Sequence, residues 1–200
     1  MDALALLKKD HQTVNRLFDR FEKKPSKAIA DKFVRELAIH AAVEEQLFYP
    51  AIRQAAQQEE LEEADEKVLE ALEEHHVAKW LLAEVEKLDM DDERFEAKCS
   101  VLIESVRHHV KEEEGPLFRL VRRLIAREQL EALGRAMQSA KKVAPTRPHP
   151  RAPDQPPANM IAGGVAAVMD KGRDAMKGMM SRGNGRSRRG GRHKERELNA

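Results

Sequence analysis

Two sequences of the form His-x-x-x-Glu, His40 to Glu44 and His109 to Glu113, are the residues of this chain best placed to do chemistry. In a helix, positions i and i+4 share a face and lie about 6 Å apart along the axis, so each pair aims an imidazole and a carboxylate in one direction. That combination is a ligand set for iron, manganese or zinc. Both pairs lie on apolar stripes: Phe33, Leu37, Leu47 and Phe48 surround His40, and Leu102, Val106 and Leu117 surround His109. His11 and His75 lie on the apolar stripes of their own segments. A carboxylate aimed into a core is costly unless it is paired or bound to a metal. One such pair alone would read as a solvated helix face, and one buried histidine as a hydrogen-bonded core residue. Two pairs together with two further histidines point to a metal centre.

An internal repeat registers all of them. Asp10-His11 with Val14, Leu17, Phe18, Phe21 and Glu22 matches Glu74-His75 with Ala78, Leu81, Leu82, Val85 and Glu86, at an offset of 64. His40, Glu44, Glu45, Phe48 and Tyr49 match His109, Glu113, Glu114, Leu117 and Phe118, at an offset of 69. The first half of the body therefore resembles the second, and an approximate two-fold axis is expected through the core. His76 and His108 are the neighbouring alternatives. At the spacings where His75 meets Ala78, Leu82 and Val85, His76 meets Lys79, Ala83 and Glu86, and Glu104 precedes His108 by four where Ser105 precedes His109. His75 and His109 are favoured, with His76 and His108 in outer or surface positions.

Helices must carry these side chains. Apolar positions recur at helical spacing over 3–23, from about 27 to at least 49, over about 65–88 and from about 93 to Gly115-Pro116, with a further amphipathic piece over about 117–140. Pro25-Ser26 breaks the first helix and offers an N-cap to the second. Pro50 kinks or ends the second, residues 51–64 read as either helix or turn, and Asp89 to Asp92 read as a turn. Short connections between long helices imply antiparallel neighbours, hence an all-α, up-down-up-down four-helix bundle over residues 1–140.

The 200 residues are 36% charged and only 4% aromatic, a balance that favours helices over sheet. Net charge is +1, but residues 141–200 carry 14 Lys+Arg against 5 Asp+Glu, which leaves the body acidic. Six prolines over 145–157 cannot sustain a helix. Residues 158–180 read as a weak helix and 181–196 as a disordered Arg/Gly-rich end. Residues 141–200 are thus expected to be a linker and a basic tail. The single cysteine, Cys99, excludes an internal disulfide and a thiolate cluster. No apolar run approaches the roughly 20 residues needed to span a bilayer, and no signal-peptide core opens the chain, so a cytoplasmic, soluble protein is expected.

Asp-His near the start, His-x-x-x-Glu-Glu before Phe-Tyr-Pro, Glu-His-His, and a second His-x-x-x-Glu-Glu together resemble the hemerythrin-like HHE cation-binding domain, over about residues 1–125. The resemblance implies a non-haem di-iron centre with an oxo or hydroxo bridge, its ligands falling on His11, His40, Glu44, His75, His109 and Glu113. Oxygen-carrying hemerythrins have a second histidine one turn along the third helix; here Lys79 follows His75 by four. The remaining symmetric set is similar to that of di-iron proteins associated with repair of iron–sulfur clusters, whose cysteine-containing N-terminal segment has no match here. A ferritin-like site fits less well, because it uses Glu-x-x-His spacing.

The functional expectation is a di-iron protein that binds or reduces a small oxidant, dioxygen, peroxide or nitric oxide, with weak reduction of peroxide or nitric oxide as its catalytic form. The alternative is an iron or oxygen sensor, or an iron donor, acting through a partner contacted by the tail. Arg186, Arg188, Arg189 and Arg192 would give salt-sensitive, non-specific contact with nucleic acid phosphates, and the tail has no aromatics to stack on bases.

Overall fold

The computed structural model describes residues 1–153 and Asp170. Among them there is no strand. The helices are α1 (Ala3–Lys23), α2 (Lys27–Val43), α3 (Tyr49–Gln58), α4 (Glu62–Lys87), α5 (Phe95–Glu112), α6 (Phe118–Leu124) and α7 (Arg127–Ala140). Two π-helical turns, Glu44–Phe48 and Glu113–Leu117, join α2 to α3 and α5 to α6. Asp2 caps α1 by accepting from Ala5 N at 2.7 Å, and Ser26 caps α2 by accepting from Ile29 N at 3.3 Å.

The long helices α1, α2, α4 and α5 close a ring in which α1 packs on α2, α2 on α4, α4 on α5 and α5 on α1. Cross-helix bonds fix their directions. Lys27, at the start of α2, donates to the carbonyls of Val85 and Glu86 at the end of α4, where the helix dipole favours a cation. Arg107 of α5 pairs with Asp19 and Glu22 near the end of α1.

The core is in two parts. One holds Leu4, Leu7, Phe48, Ile52, Val68, Leu72, Phe118 and Met137. The other holds Val14, Phe18, Phe21, Phe33, Leu82, Val85, Phe95, Leu102 and Val106. Each chemistry-bearing histidine falls at the junction: His11 between Leu7 and Val14, and His75 between Leu72 and Leu82. A buried polar layer thus separates two apolar ones.

The chain differs from its sequence reading at the prolines. Pro50 and Pro116 neither stop the helices nor simply kink them. An α-helix would need an N–H at each position and would drive the ring into the carbonyl four residues back. The wider π turn relieves that clash, with Tyr49 N bonding Glu44 O and Phe118 N bonding Glu113 O. Each π turn begins at a glutamate of a His-x-x-x-Glu pair.

The start of the proline-rich stretch also departs from a detached linker. Ala144 and Thr146 are buried, Arg147 pairs with Glu86, and Thr146 N and Arg147 N donate to the Asp170 carboxylate, both at 3.0 Å. Pro145 and Pro148 line a groove over Ala38, Ala41 and Ala42 of α2. The weak helix read over 158–180 and the Arg/Gly-rich end lie, apart from Asp170, outside the described residues. Among the described residues no helix is long and apolar enough to cross a membrane.

Candidate metal centre

All six residues singled out for ligation converge in the polar layer, and each is at most 7% exposed. They form two overlapping groups. His11, His40, Glu44 and Glu113 make one, and Glu44, His75 and His109 the other, with the donor atoms of each group within 4.8 Å of one another. Glu44 is common to both. Its Oε2 lies 3.1 Å from His40 Nε2 and 3.4 Å from His75 Nε2. Glu113 Oε2 lies 3.2 Å from His11 Nε2. His76 and His108 stay outside: His76 accepts from Trp80 Nε1 at 3.3 Å, and the His108 side chain is 65% exposed.

The donor arrangement fits metal ions. Nε2 of His11 faces Nε2 of His40 at 3.2 Å, and Nε2 of His75 faces Nε2 of His109 at 3.3 Å. Opposed lone pairs repel unless a cation lies beside both. With metal–nitrogen bonds of about 2.0–2.1 Å, the edge of a coordination polyhedron is about 2.9–3.4 Å, which matches these separations. Both oxygens of Glu44 and Oε2 of Glu113 are buried without a hydrogen-bond partner. Buried carboxylates in that condition call for a cation.

The outward ring nitrogens face carboxylates, which fixes the tautomer with Nε2 bare toward the centre. His109 Nδ1 meets Glu74 at 2.7 Å, His11 Nδ1 meets Glu114 at 2.8 Å and His75 Nδ1 meets Glu45 at 3.1 Å. His40 Nδ1 faces Asp10 at 3.7 Å, beyond hydrogen-bond reach. Sequence reasoning used these four acidic residues to align the repeat and to mark the motifs, not as partners of the histidines. Their recurrence beside His11, Glu44, His75 and Glu113 was the available signal.

Tyr49 was also missed. It is 1% exposed and puts its hydroxyl 3.3 Å from His75 Nε2 and 3.4 Å from Glu113 Oε1. Its counterpart in the repeat is Phe118, which stacks on His11. Lys79, at the place of the extra histidine of oxygen carriers, is buried and sets its ammonium 3.1 Å from Glu45 Oε1.

The electrostatics describe a site built around positive charge. Burial and the adjacent Glu113 push the Glu44 carboxyl well above the usual range. Burial also opposes ionisation of Glu113, but the imidazole of His11 3.2 Å away, then those of His109 and His40, outweigh it and hold it at about 2. Two neighbouring buried carboxylates cannot both ionise easily without a cation, and a bound metal inverts that balance. Burial drives His40 down to about 4 and lowers His75 as well, which favours the neutral, ligating ring. Burial alone would lower His11, yet Glu113 and Glu114 raise it.

A cavity of about 30 Å³ opens beside the four histidines and is otherwise walled by side chains such as Val14, Leu37, Leu82 and Val106. It has room for about one or two small molecules.

Comparison with known proteins agrees with this geometry. The hemerythrin HHE cation binding domain model matches residues 2–121. An uncharacterized hemerythrin-like protein of Schizosaccharomyces pombe is 31% identical over 146 residues, which span 73% of this chain and 70% of that one. A DNA nickase of Nostoc is 27% identical over 146 residues, but the match spans only 39% of its length. A crystal structure of a hemerythrin HHE cation-binding domain-containing protein from Mycobacterium kansasii superposes with a TM-score of 0.60 at 22% identity, over 71% of this chain and 86% of that one. With its matched domain, its helical ring and its buried His/Glu cluster able to hold metal, the chain belongs to the hemerythrin HHE cation-binding domain family.

Proposed function

We propose that the chain is a non-haem di-iron protein that binds or reduces a small oxidant, dioxygen, peroxide or nitric oxide. The carrying observation is the pair of histidine groups sharing Glu44 beside a small, mostly apolar cavity. His11, His40, Glu44 and Glu113 would hold one ion, and His75, His109 and Glu44 the other. Iron bound there supplies electrons and open coordination positions to a diatomic molecule or peroxide.

The chain's own residues set the terms of that chemistry. Glu74, Glu114 and Glu45 orient three imidazoles through Nδ1. The apolar wall limits water and admits small, weakly polar molecules. Tyr49 donates to Glu113 Oε1 and holds that oxygen away from the second group. Lys79 lies on Glu45, so α4 offers one imidazole at the centre rather than two.

Each group offers two imidazoles, a set that would leave bound iron open to reaction more than to reversible carriage. The reduced protein is expected to oxidise in air, and to react with peroxide or nitric oxide, without giving dioxygen back. Stopped-flow spectra of the reduced protein test this. A coloured species that releases dioxygen under vacuum would overturn the reading.

A further inference from the structure

The outer carboxylates of the two halves differ in how they meet their histidines. Under the repeat, Asp10 facing His40 corresponds to Glu74 facing His109. Glu74 approaches its histidine to 2.7 Å, whereas Asp10 stays at 3.7 Å and leaves the buried His40 Nδ1 without a hydrogen-bond partner. Asp10 is engaged elsewhere: Lys141 Nζ donates to its Oδ1 at 2.5 Å.

Lys141 lies just past α7, an element outside the internal repeat, so the second half has no equivalent lysine. Its position is firmly set. Gly134 of α7 sits against the start of α1 so closely that a Cβ there would lie 2.6 Å from Met1 O. Met137 is fully buried and Ala144 packs into the core, which fixes the chain on both sides of Lys141.

We propose that Lys141 is a positioning residue that, by holding Asp10 away from His40, lowers the metal affinity of the His11/His40 half of the centre. The inference rests on the two-metal reading above. A histidine whose outer N–H lacks an acceptor is less firmly oriented and less basic at its ligating nitrogen. The lysine takes a share of Asp10's charge and directionality, whereas Glu74 keeps one oxygen on His109 while the other faces the exposed His108 at 3.7 Å. Asp10 is also one methylene shorter than Glu74, so the ammonium acts on a carboxylate with little reach to spare. Loss of an outer partner of this kind typically changes metal affinity by about 10–100-fold. The segment following α7 thereby sets a difference between two metal positions that the repeat alone would make alike.

The test is an anaerobic titration of the full chain with ferrous iron against a chromophoric ferrous chelator. The wild type is expected to show two binding steps, one of which is lost in His40→Ala. Lys141→Met should tighten that step by about tenfold or more. Asp10→Glu, which extends the carboxylate toward His40 with the lysine kept, should tighten it too, and Lys141→Arg should leave it unchanged. Circular dichroism shows that each variant is folded; should Lys141→Met unfold, Asp10→Glu and Lys141→Arg decide the matter. Two steps unchanged by Lys141→Met and Asp10→Glu, or a tightened step that is the one lost in His109→Ala, would overturn this inference alone. Uptake of fewer than two metals by the wild type would overturn the two-metal reading and this inference with it.

Discussion

A neutral imidazole is the form that binds a metal, and the residues around this centre do not all begin in that form. His11 is raised above its ordinary 6.5, because Glu113 and Glu114 outweigh burial. Glu44 is raised well above 4.5, chiefly by burial and by Glu113. Both therefore hold protons above their usual ranges in the metal-free protein, and a metal must displace them. His40, pushed down to about 4, is already neutral near pH 7 and releases nothing there. The sign follows: metal uptake near neutral pH expels protons, and affinity rises as pH is raised through the range above 6.5 where His11 titrates. A pH-stat measurement during metal addition checks the release, and titrations at several pH values check the slope. An affinity independent of pH between about 6 and 8 would contradict it. At this scale the sequence was informative about ligating residues and silent about their partners. His11, His40, His75 and His109 stood out as polar groups on apolar stripes, and helical spacing singled out Glu44 and Glu113, whereas Glu45 and Glu114 entered as matched positions of the repeat. That Glu45 is buried directly beside Glu44 goes with the π turn, which helical periodicity alone does not contain.

The π turns are where local sequence and global packing meet. Each starts at Glu44 or Glu113 and is followed or occupied by a proline that an α-helix would reject. Inserting a wide turn keeps the helix running while both Glu44 and Glu45, then both Phe48 and Tyr49, become buried. The prolines were visible in the sequence, but their effect was not. A proline permits a stop, a kink or a bulge, and the packing of Phe48 and Tyr49 selects the bulge here. The long helices were legible because their stripes bury against one another; Phe33, at 0% exposure, meets Phe18 at 5.3 Å and Phe21 at 5.6 Å in edge-on contacts. Phe33→Ala opens a cavity in the apolar layer beneath the metal site and is expected to destabilise the fold by about 3–5 kcal/mol. Chemical denaturation of the metal-free protein checks this, and a change under about 1 kcal/mol would show that α1, α2 and α5 do not close on that ring as described.

Across the whole molecule, a duplicated helical hairpin surrounds a polar layer held between two apolar cores. Departures from that symmetry cluster at the centre: Tyr49 against Phe118, Lys79 against Asn15, and Lys141 against no counterpart. The duplication was legible from two sequence offsets, because the chemistry recurs in both halves. The packing of 144–148 on the body was not legible, since six prolines within thirteen residues resemble a spacer; the burial of Ala144 and the Arg147–Glu86 pair reveal its attachment. The most direct measurement for the molecule as a whole is metal content. Elemental analysis of the purified full chain, alongside His40→Ala and His109→Ala, is expected to give two iron ions per wild-type chain and reduced occupancy in each variant. One ion or fewer per wild-type chain, or full occupancy in both variants, would contradict a two-metal centre built from these helices.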